Sequence, residues 1–448
     1  DRNPPGVGIN WTSALEVALR LINFTWFDTL VSAVGDSTLN SAQIKLVKRI
    51  VPIHAAWIWR YRSNGSSANN HLLGELSALV VSGSRWPALE KITCSIDKTW
   101  QKLGHEILRQ FGEDGGSREQ ALHYHLFGFD LAWQAARVMG CKAGPVYDRL
   151  ALAATFFADL SQKGEPWDFG DNDDAQVVPV TAVRANAVHE WQDWFNGEQG
   201  VLQAWLGMSP IPPQLIASNE WRTYSTSGMA AFRSHGWFAR LDASPLGFGS
   251  IAAHGHCDAL HLSIWDTDYA LLIDPGTGSY YGNVELREEL ARWDAHNGPQ
   301  PVDKCFETPR RHGPFLQLTH HSSPTLVTEG TTAIARFEHE NHAFQRQVLW
   351  HGESIEIRDT EDLQKPFSIH WCLAPECTIV DHLSLKPDRF ILHRNERQWE
   401  LFMDAPGATF SVITRRVSPF YGQIQESKII IVSGIQSGIA TRLRRLAT

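Results

Sequence analysis

The sequence predicts a helical N-terminal half followed by an all-β C-terminal half. Three observations carry that expectation. At 448 residues the chain is too long for one ordinary hydrophobic core, so two domains are the default. From Gly8 to about residue 215 the apolar residues recur with the spacing of one helix face. At Met208-Ser-Pro-Ile-Pro-Pro-Gln214 the composition changes abruptly, and beyond it apolar residues come in short alternating runs. The expected domains are 1–215 and 216–448.

The first helix is legible from Ser13. Leu15, Ala18, Leu19 and Ile22 stand at i, i+3, i+4 and i+7, and Thr12 or Ser13 supplies the N-cap. Further helical blocks run roughly over 42–62, 70–82, 87–111, 118–138, 145–162 and 184–196, with short breaks rich in Gly, Ser, Pro and Asp. Such a series fits antiparallel helical hairpins, arranged as a bundle or as part of an α/α toroid. The alternating runs of the second half are Ala231–Leu241, His261–Trp265, Ala270–Asp274, Phe315–His320, Ala335–Phe337, Phe344–Trp350, Ser354–Arg358, Ser368–Cys372, Phe390–His393, Phe410–Ile413 and Ile429–Val432. Turn residues separate many of them, which predicts a large antiparallel β-sandwich.

Composition narrows the partners. Net charge is −9 and the pI about 6.1, so no global basic field draws nucleic acid, and cationic contacts to an acidic ligand have to be local. The 18 Trp offer flat faces for sugar rings, although most are expected in an aromatic-rich core. The six Cys are scattered, with only Cys372 and Cys377 close in sequence, so no disulfide framework is expected. No apolar run is expected to reach the length of a membrane span. The chain opens at Asp1 rather than Met, so a leader peptide is not legible.

Polar chemistry concentrates first in Ile251-Ala-Ala-His254-Gly-His256-Cys-Asp258-Ala-Leu-His261-Leu-Ser-Ile-Trp265, whose flanks alternate like a half-buried strand. With a period of two, His254, His256 and Asp258 project from one face, and Gly255 and Cys257 from the other. Buried polar groups need partners, so this face calls for a metal, a substrate or a local network. Leu271-Leu-Ile-Asp274-Pro-Gly-Thr-Gly-Ser-Tyr280-Tyr281 reads as a second strand ending in a carboxylate and a sharp turn. Together the two are expected to form one wall of an active site.

Three clusters lie in the helical half. In Ser66-Ser-Ala-Asn69-Asn70-His71-Leu-Leu-Gly-Glu75, Asn69 or Asn70 caps a helix, which leaves His71 and the Gly unexplained. In Glu113-Asp-Gly-Gly-Ser117-Arg118-Glu119-Gln120-Ala-Leu-His123-Tyr124-His125, a Tyr flanked by His is either a proton-transfer group or a satisfied interior Tyr. Gly170-Asp171-Asn-Asp173-Asp174 lacks the Gly and Glu of a calcium loop.

With these stretches in hand, the sequence resembles the heparinase II/III-type polysaccharide lyases, and its motif separations resemble the heparinase III branch. The resemblance runs through Gly8-Ile-Asn-Trp-Thr-Ser-Ala-Leu-Glu-Val-Ala-Leu-Arg20, Asn69-Asn-His-Leu-Leu-Gly-Glu75, Asp114-Gly-Gly-Ser-Arg-Glu-Gln-Ala-Leu-His-Tyr-His125, Gly170-Asp-Asn-Asp173, His254-Gly-His-Cys-Asp258, Asp274-Pro-Gly-Thr277 and His296-Asn297. It implies an N-terminal α/α toroid followed by a C-terminal antiparallel β-sandwich, in a bacterial periplasmic or secreted enzyme. The helical half is shorter than a complete family toroid, so some toroid helices are expected to be absent from this chain or supplied separately. Ala121 and Leu122 stand where relatives often carry Ser and Pro.

The implied reaction is β-elimination in an acidic, uronic-acid-containing glycan, with a heparan-sulfate-like glycosaminoglycan as leading substrate. A proton leaves C5 beside the C6 carboxylate, the glycosidic oxygen departs from C4, and a 4,5-unsaturated sugar remains. The C6 carboxylate must be neutralised to stabilise the enolate-like transition state, and the resemblance gives that task to Asn70 and His254. It makes Tyr124 the acid, and also the base for one C5 epimer, with His71 as base for the other. A phenol of pKa about 10 is a poor base at neutral pH without nearby positive charge, for which His125 and Arg118 are in range by sequence. Glu75, Arg118, Gln120, His125, Arg184 and His189 are expected to bind substrate, and Arg287 and Arg292 are further anion-binding candidates. By the same resemblance His256, Asp274 and His296 hold a divalent metal, structural zinc, that orients His254; the alternative is a metal-free His–Asp network. No organic cofactor is expected. Within the class, alginate, chondroitin or hyaluronan, and bacterial exopolysaccharides are alternative substrates. A glycoside hydrolase would need two carboxylates flanking the bond, for which Glu75, Glu119 and Asp171 are the candidates. A non-catalytic glycan-binding protein is the third reading.

Overall fold

The structure, a computed structural model, describes residues 4–34, 41–65, 68–163, 167–180, 184–212, 219–247, 252–302, 306–307, 311–313, 315–317, 323–380 and 388–446; for 41–46 and 184–189 only the backbone is described. The expected boundary at 215/216, Ile251, Cys305 and residues 318–320 of one expected strand lie outside the described residues. The chain forms two units. One comprises Asp1–Gly115, Tyr124–Thr155 and Ala175–Pro212, the other Gly116–His123, Phe156–Asp174 and Pro213–Thr448.

The helices of the first half are α1 (Ala14–Val34), α2 (Ser41–Tyr61), α3 (Asn70–Arg85), α4 (Ile96–Gln110), α5 (Leu122–Val138), α6 (Pro145–Leu160), α7 (Arg184–Phe195) and α8 (Val201–Leu206). Val17, Ala18, Leu21 and Ile22, one face of α1, are fully buried, and α1 packs on α2 and α3. Gly74 explains itself here. A Cβ at that position would lie 2.5 Å from the Leu15 side chain and 3.2 Å from that of Leu131.

Three expectations need correction. The block 87–111 is interrupted: Pro87–Lys91 is a 3₁₀ turn, and α4 starts afresh at Ile96 behind the Ser95 cap, whose side chain accepts from Lys98 N. The block 118–138 starts only at Leu122, because Gly115 (φ 90°) and Gln120 (φ 52°) hold the chain out of helical geometry. Finally, α1 is long and apolar enough, by length and composition, to cross a membrane, with mean hydropathy 1.3. It carries Glu16, Arg20 and Asp28, and Arg20 donates to the Asn10 carbonyl. Phe27, Leu30 and Val34 at its C-terminal end are exposed.

The second unit is antiparallel at every strand pairing among its named strands. Its first sheet runs in chain order: β1 (Arg222–Tyr224), β2 (Met229–Ser234), β3 (Trp237–Asp242), β4 (Leu262–Asp266) and β5 (Tyr269–Leu272). The expected run Ala231–Leu241 is in fact the β2–β3 hairpin, turned at His235 and Gly236, both with positive φ as a twisted two-residue hairpin requires. An eight-stranded sheet contains strands between Thr325 and Arg445, and a four-stranded sheet joins Thr409–Val417, Gln425–Ile435, Phe367–Cys372 and Pro299–Pro301. Burial alternates along the strand His342–His351, with Phe344, Arg346, Val348 and Trp350 inside. A short helix, α9 (Val284–Leu290), follows β5.

The stretch expected to be one strand over 251–265 is not. Residues 252–261 form an irregular loop, and β4 begins at Leu262. The loop's backbone groups pair outside a ladder. Cys257 N donates to Ala291 O, Leu260 N to Asp242 O and His261 N to Asp258 O, and Leu260 takes φ 67°. Strand alternation therefore does not place its side chains.

Candidate functional site

Asp171 organises the loop. Its carboxylate, fully buried, accepts two hydrogen bonds from Arg287 (2.5 and 2.6 Å), one from His254 Nδ1 (3.2 Å) and one from His256 Nε2 (3.2 Å). Its backbone N–H donates to His254 O at 2.9 Å. Burial alone would raise the Asp171 pKa. The Arg287 guanidinium and the two imidazoles outweigh it and hold the carboxyl well below its ordinary value. His254 and His256 thus share a side, as expected, but the cause is a common acceptor rather than strand periodicity. Two glycines permit the approach: a Cβ on Gly255 would lie 1.9 Å from Leu246 O, and one on Gly170 2.3 Å from Gln120 O. Arg287 is an internal partner of Asp171 with 1% exposure, which corrects its expected role as a ligand-binding cation.

Asp258 belongs to a different neighbourhood. Burial, then Asp242 and Asp274, push its pKa well above normal. His261 is likewise internal: its Nδ1 accepts from Asn297 N (2.9 Å) and its Nε2 donates to Ser263 Oγ (2.8 Å). The Asn297 side chain ties Leu262 O, Ile273 O and Cys372 N together, which anchors His296 beside it.

His256, Asp274 and His296 converge, with one ligand atom of each within 4.8 Å of the others, and all three are at most 1% exposed. The tautomers follow from their partners. His256 Nε2 donates to ionised Asp171 and His296 Nδ1 donates to Arg292 O (2.7 Å), which in neutral rings puts the lone pairs on His256 Nδ1 and His296 Nε2. These atoms and Asp274 Oδ2 are buried without a hydrogen-bond partner among the described residues. His296 Nε2 is 3.4 Å from Asp274 Oδ2, and His256 Nδ1 is 3.9 Å from Asp274 Oδ1. Two lone pairs facing a carboxylate repel one another unless a proton or a metal cation lies between them. The donor set, and the outer hydrogen bonds that fix both rings, fit a divalent metal. Among the described residues this is the one His/Cys/Asp/Glu group that could hold a metal.

In the helical unit, Asn69 is the N-cap of α3, its side chain accepting from His71 N at 3.3 Å. Asn70 (3% exposed) and the partly buried His71 are the first two residues of that helix, and Tyr124 (8% exposed) lies in the first turn of α5. Glu75, expected to contact substrate, is wholly buried, and its two oxygens accept from Ser63 N (2.7 Å) and Ser63 Oγ (2.8 Å). Burial raises its pKa to about 7. His125 is corrected similarly. It is 1% exposed, its Nε2 donates to Ala153 O (2.8 Å), and Phe111 packs edge-on against its ring. Burial lowers its pKa to about 4, so at neutral pH it brings no positive charge to Tyr124. Gln120 is buried in the second unit, Arg118 there is exposed, and the side chains of Arg184 and His189 lie outside the described residues. Arg292 pairs with Asp294 at 3.0 Å. Of the described cysteines, Cys94 and Cys141 are partly exposed, and Cys257, Cys372 and Cys377 are buried.

Sequence reasoning passed over Asp171 as the anchor of this site. The signal was the Gly170-Asp-Asn-Asp173 motif, read as a failed calcium loop, as a family marker and as one candidate carboxylate of a hydrolase.

Comparison with known proteins follows the same lines. The family model described as heparinase II/III-like, C-terminal, matches residues 218–444, and that of the heparinase II/III N-terminus matches 7–144. None of the curated proteins matches the chain. Among solved structures, a heparinase III is similar with a TM-score of 0.73 at 15% identity, over 97% of this chain and 69% of that one. A heparan sulfate lyase from Pedobacter heparinus gives 0.67 at 16%, over 100% and 71%. A chondroitin AC lyase of Streptomyces coelicolor A3, solved with chondroitin sulphate, gives 0.54 at 10%, over 99% and 68%. At such identities what is shared is the fold, an α/α toroid followed by antiparallel β-sheets.

Proposed function

The chain belongs to the heparinase II/III-like family of polysaccharide lyases, and from that premise we propose that it cleaves a uronic-acid-containing glycosaminoglycan, heparan-sulfate-like in the leading case, by β-elimination. The observation that carries the reading is the buried Asp171–Arg287 pair that orients His254. With its Nδ1–H directed to Asp171, His254 meets a substrate carboxylate through Nε2, which donates when the ring is protonated. Asn70 supplies a second, neutral donor to the same carboxylate. Withdrawing charge from that group is what makes the C5 proton removable.

Tyr124 then protonates the departing C4 oxygen, and removes the C5 proton where the substrate stereochemistry puts it on the tyrosine's side; His71 is the base for the opposite epimer. His125 cannot lower the phenol's pKa. The N-terminal end of α5, whose first turn carries Tyr124, supplies part of the positive potential instead, and α3 does the same for an anion at Asn70 and His71. Arg118, Gln120, Arg184 and His189 remain the proposed substrate contacts.

His256, Asp274 and His296 would hold a divalent metal, zinc by its donor set, whose chemistry is to bind imidazole and carboxylate and fix the loop. Its role is structural, since His256 already shares Asp171 with His254. We place the protein in the periplasm or outside the cell, as the family resemblance implies.

A hydrolase reading finds little support. Asp171 is saturated by Arg287 and two histidines, and Glu75 is closed off with Ser63. Neither is placed to flank a glycosidic bond. The deciding assay offers heparan sulfate, heparin, chondroitin, hyaluronan, alginate and bacterial exopolysaccharides, and follows ultraviolet absorbance of the unsaturated 4,5-bond. Absorbance should rise with a glycosaminoglycan. New reducing ends without absorbance would overturn the lyase reading, and a rise with alginate alone would overturn the substrate class.

A further inference from the structure

The 252–261 loop has no ladder to hold it, yet it must present His254 in one orientation. Asp171 fixes one edge of the imidazole. Further support comes from a short hairpin, Arg311–His312 paired with Leu316–Gln317. Three of its residues reach the loop. Arg311 Nη1 donates to Ala253 O and its Nη2 to Gly255 O, both at 3.3 Å, so one guanidinium spans the two carbonyls flanking His254. Gln317 O accepts from Ala252 N at 2.7 Å. Phe315 packs its ring 5.6 Å from that of His254, and 4.7 Å from that of Tyr280. Tyr280 in turn lies under the Arg287 guanidinium, 4.6 Å away, and Arg287 closes the circuit through Asp171 to His254.

We infer that Arg311 is a positioning residue for His254, acting through the Ala253 and Gly255 carbonyls, with the paired strands Arg311–His312 and Leu316–Gln317 as the clamp that makes the loop rigid. A planar fork of donors suits this task, because two carbonyls one residue apart on either side of His254 are met by one rigid group. A lysine ammonium reaches one of them. An alanine leaves both buried acceptors to find new donors, and the loop between them turns. The inference rests on the reading of His254 as the residue that faces substrate.

The test compares Arg311→Ala and Arg311→Lys with the wild-type chain. In the lyase assay Arg311→Ala should lose about a hundred-fold in kcat, the scale set by misplacing a catalytic group by an ångström, with KM changed far less. Arg311→Lys should fall between, and millimolar guanidinium, below denaturing concentration, should restore part of the Arg311→Ala rate. Independently of any activity, the ring-carbon NMR signal of His254, assigned with His254→Gln, should shift or broaden in both variants and return with guanidinium. If the wild-type chain proves inactive on every glycan, the proposed function fails and this NMR arm still decides the inference. An unmoved His254 signal in Arg311→Lys, or an Arg311→Lys rate equal to wild type, would overturn it even should Arg311→Ala fail to fold. Loss of activity that guanidinium does not restore, with the His254 signal unmoved, would overturn it too.

Discussion

In the β unit, His254, His256, Asp274 and His296 sit on irregular backbone and are held by other side chains: one carboxylate shared by three residues, an arginine across two carbonyls, an asparagine across three backbone groups. In the helical unit, Asn70, His71 and Tyr124 sit in the first turns of regular helices. There the backbone does the positioning. A helix terminus fixes a side chain's origin with hydrogen bonds no single substitution removes, whereas a loop must be braced by partners that are themselves replaceable. Substitution in the first region should therefore damage fold and function together, and in the second function alone.

The largest test is Asp171→Ala. It strands a fully buried Arg287 and frees both imidazoles, and should cost about 3–5 kcal/mol of stability in urea unfolding together with any bound metal, read by elemental analysis. A loss below about 1 kcal/mol would erase the contrast. Tyr124→Phe should do the opposite, lowering lyase turnover by about 10²–10⁴-fold while the unfolding midpoint barely moves. Retained turnover would remove Tyr124 from the mechanism.

Glu75 sharpens the comparison, because it is a fully buried acid of the helical unit. Its pKa is raised to about 7 in the folded chain, above its ordinary value, so its favourable contribution is complete below the unfolded pKa and is lost as pH rises through about 7. Wild type should lose about 3 kcal/mol more than Glu75→Gln between pH 4 and pH 8, measured as the difference in unfolding free energy. Parallel pH profiles would show that burial does not perturb this carboxyl. The smallest effect is expected at His125. Replacing it with Gln removes the bond to Ala153 O, at a cost of about 1 kcal/mol, and should leave the pH dependence of turnover between 6 and 9 unchanged. A shifted profile would restore His125 to a role beside Tyr124.

What was legible in the sequence follows the same division. Helices announce themselves through long periodic faces, so α2, α3 and α6 fall close to their expected spans, whereas the alternating runs caught only parts of longer strands and missed Thr325–Glu329, Arg397–Asp404 and Ile439–Arg445. The six- and seven-residue helices α8 and α9 carry too few turns to show a period. Chemistry was legible as residue types in order, including the Asp274 and His296 that meet His256. Which neighbour satisfies a polar group was not. His125 and Glu75 look the same in sequence whether they face a ligand or, as here, Ala153 and Ser63. The loop at 252–261 misled for a related reason: alternating polarity there comes from residues needed by partners far along the chain, and only those partners reveal it.

Asp171 comes from a segment of the helical half that counts with the β unit. Severing the chain where composition changes, near 215, would put that carboxylate on one fragment and Arg287, His254 and His256 on the other. The C-terminal half is thus no portable module: grafted elsewhere, or expressed alone, it would carry a buried cation with no counter-ion. Mixing the two fragments would be needed to complete it, and recovery of the fold on mixing would then report the arrival of Asp171 together with the segments 116–123 and 156–174 that count with the β unit.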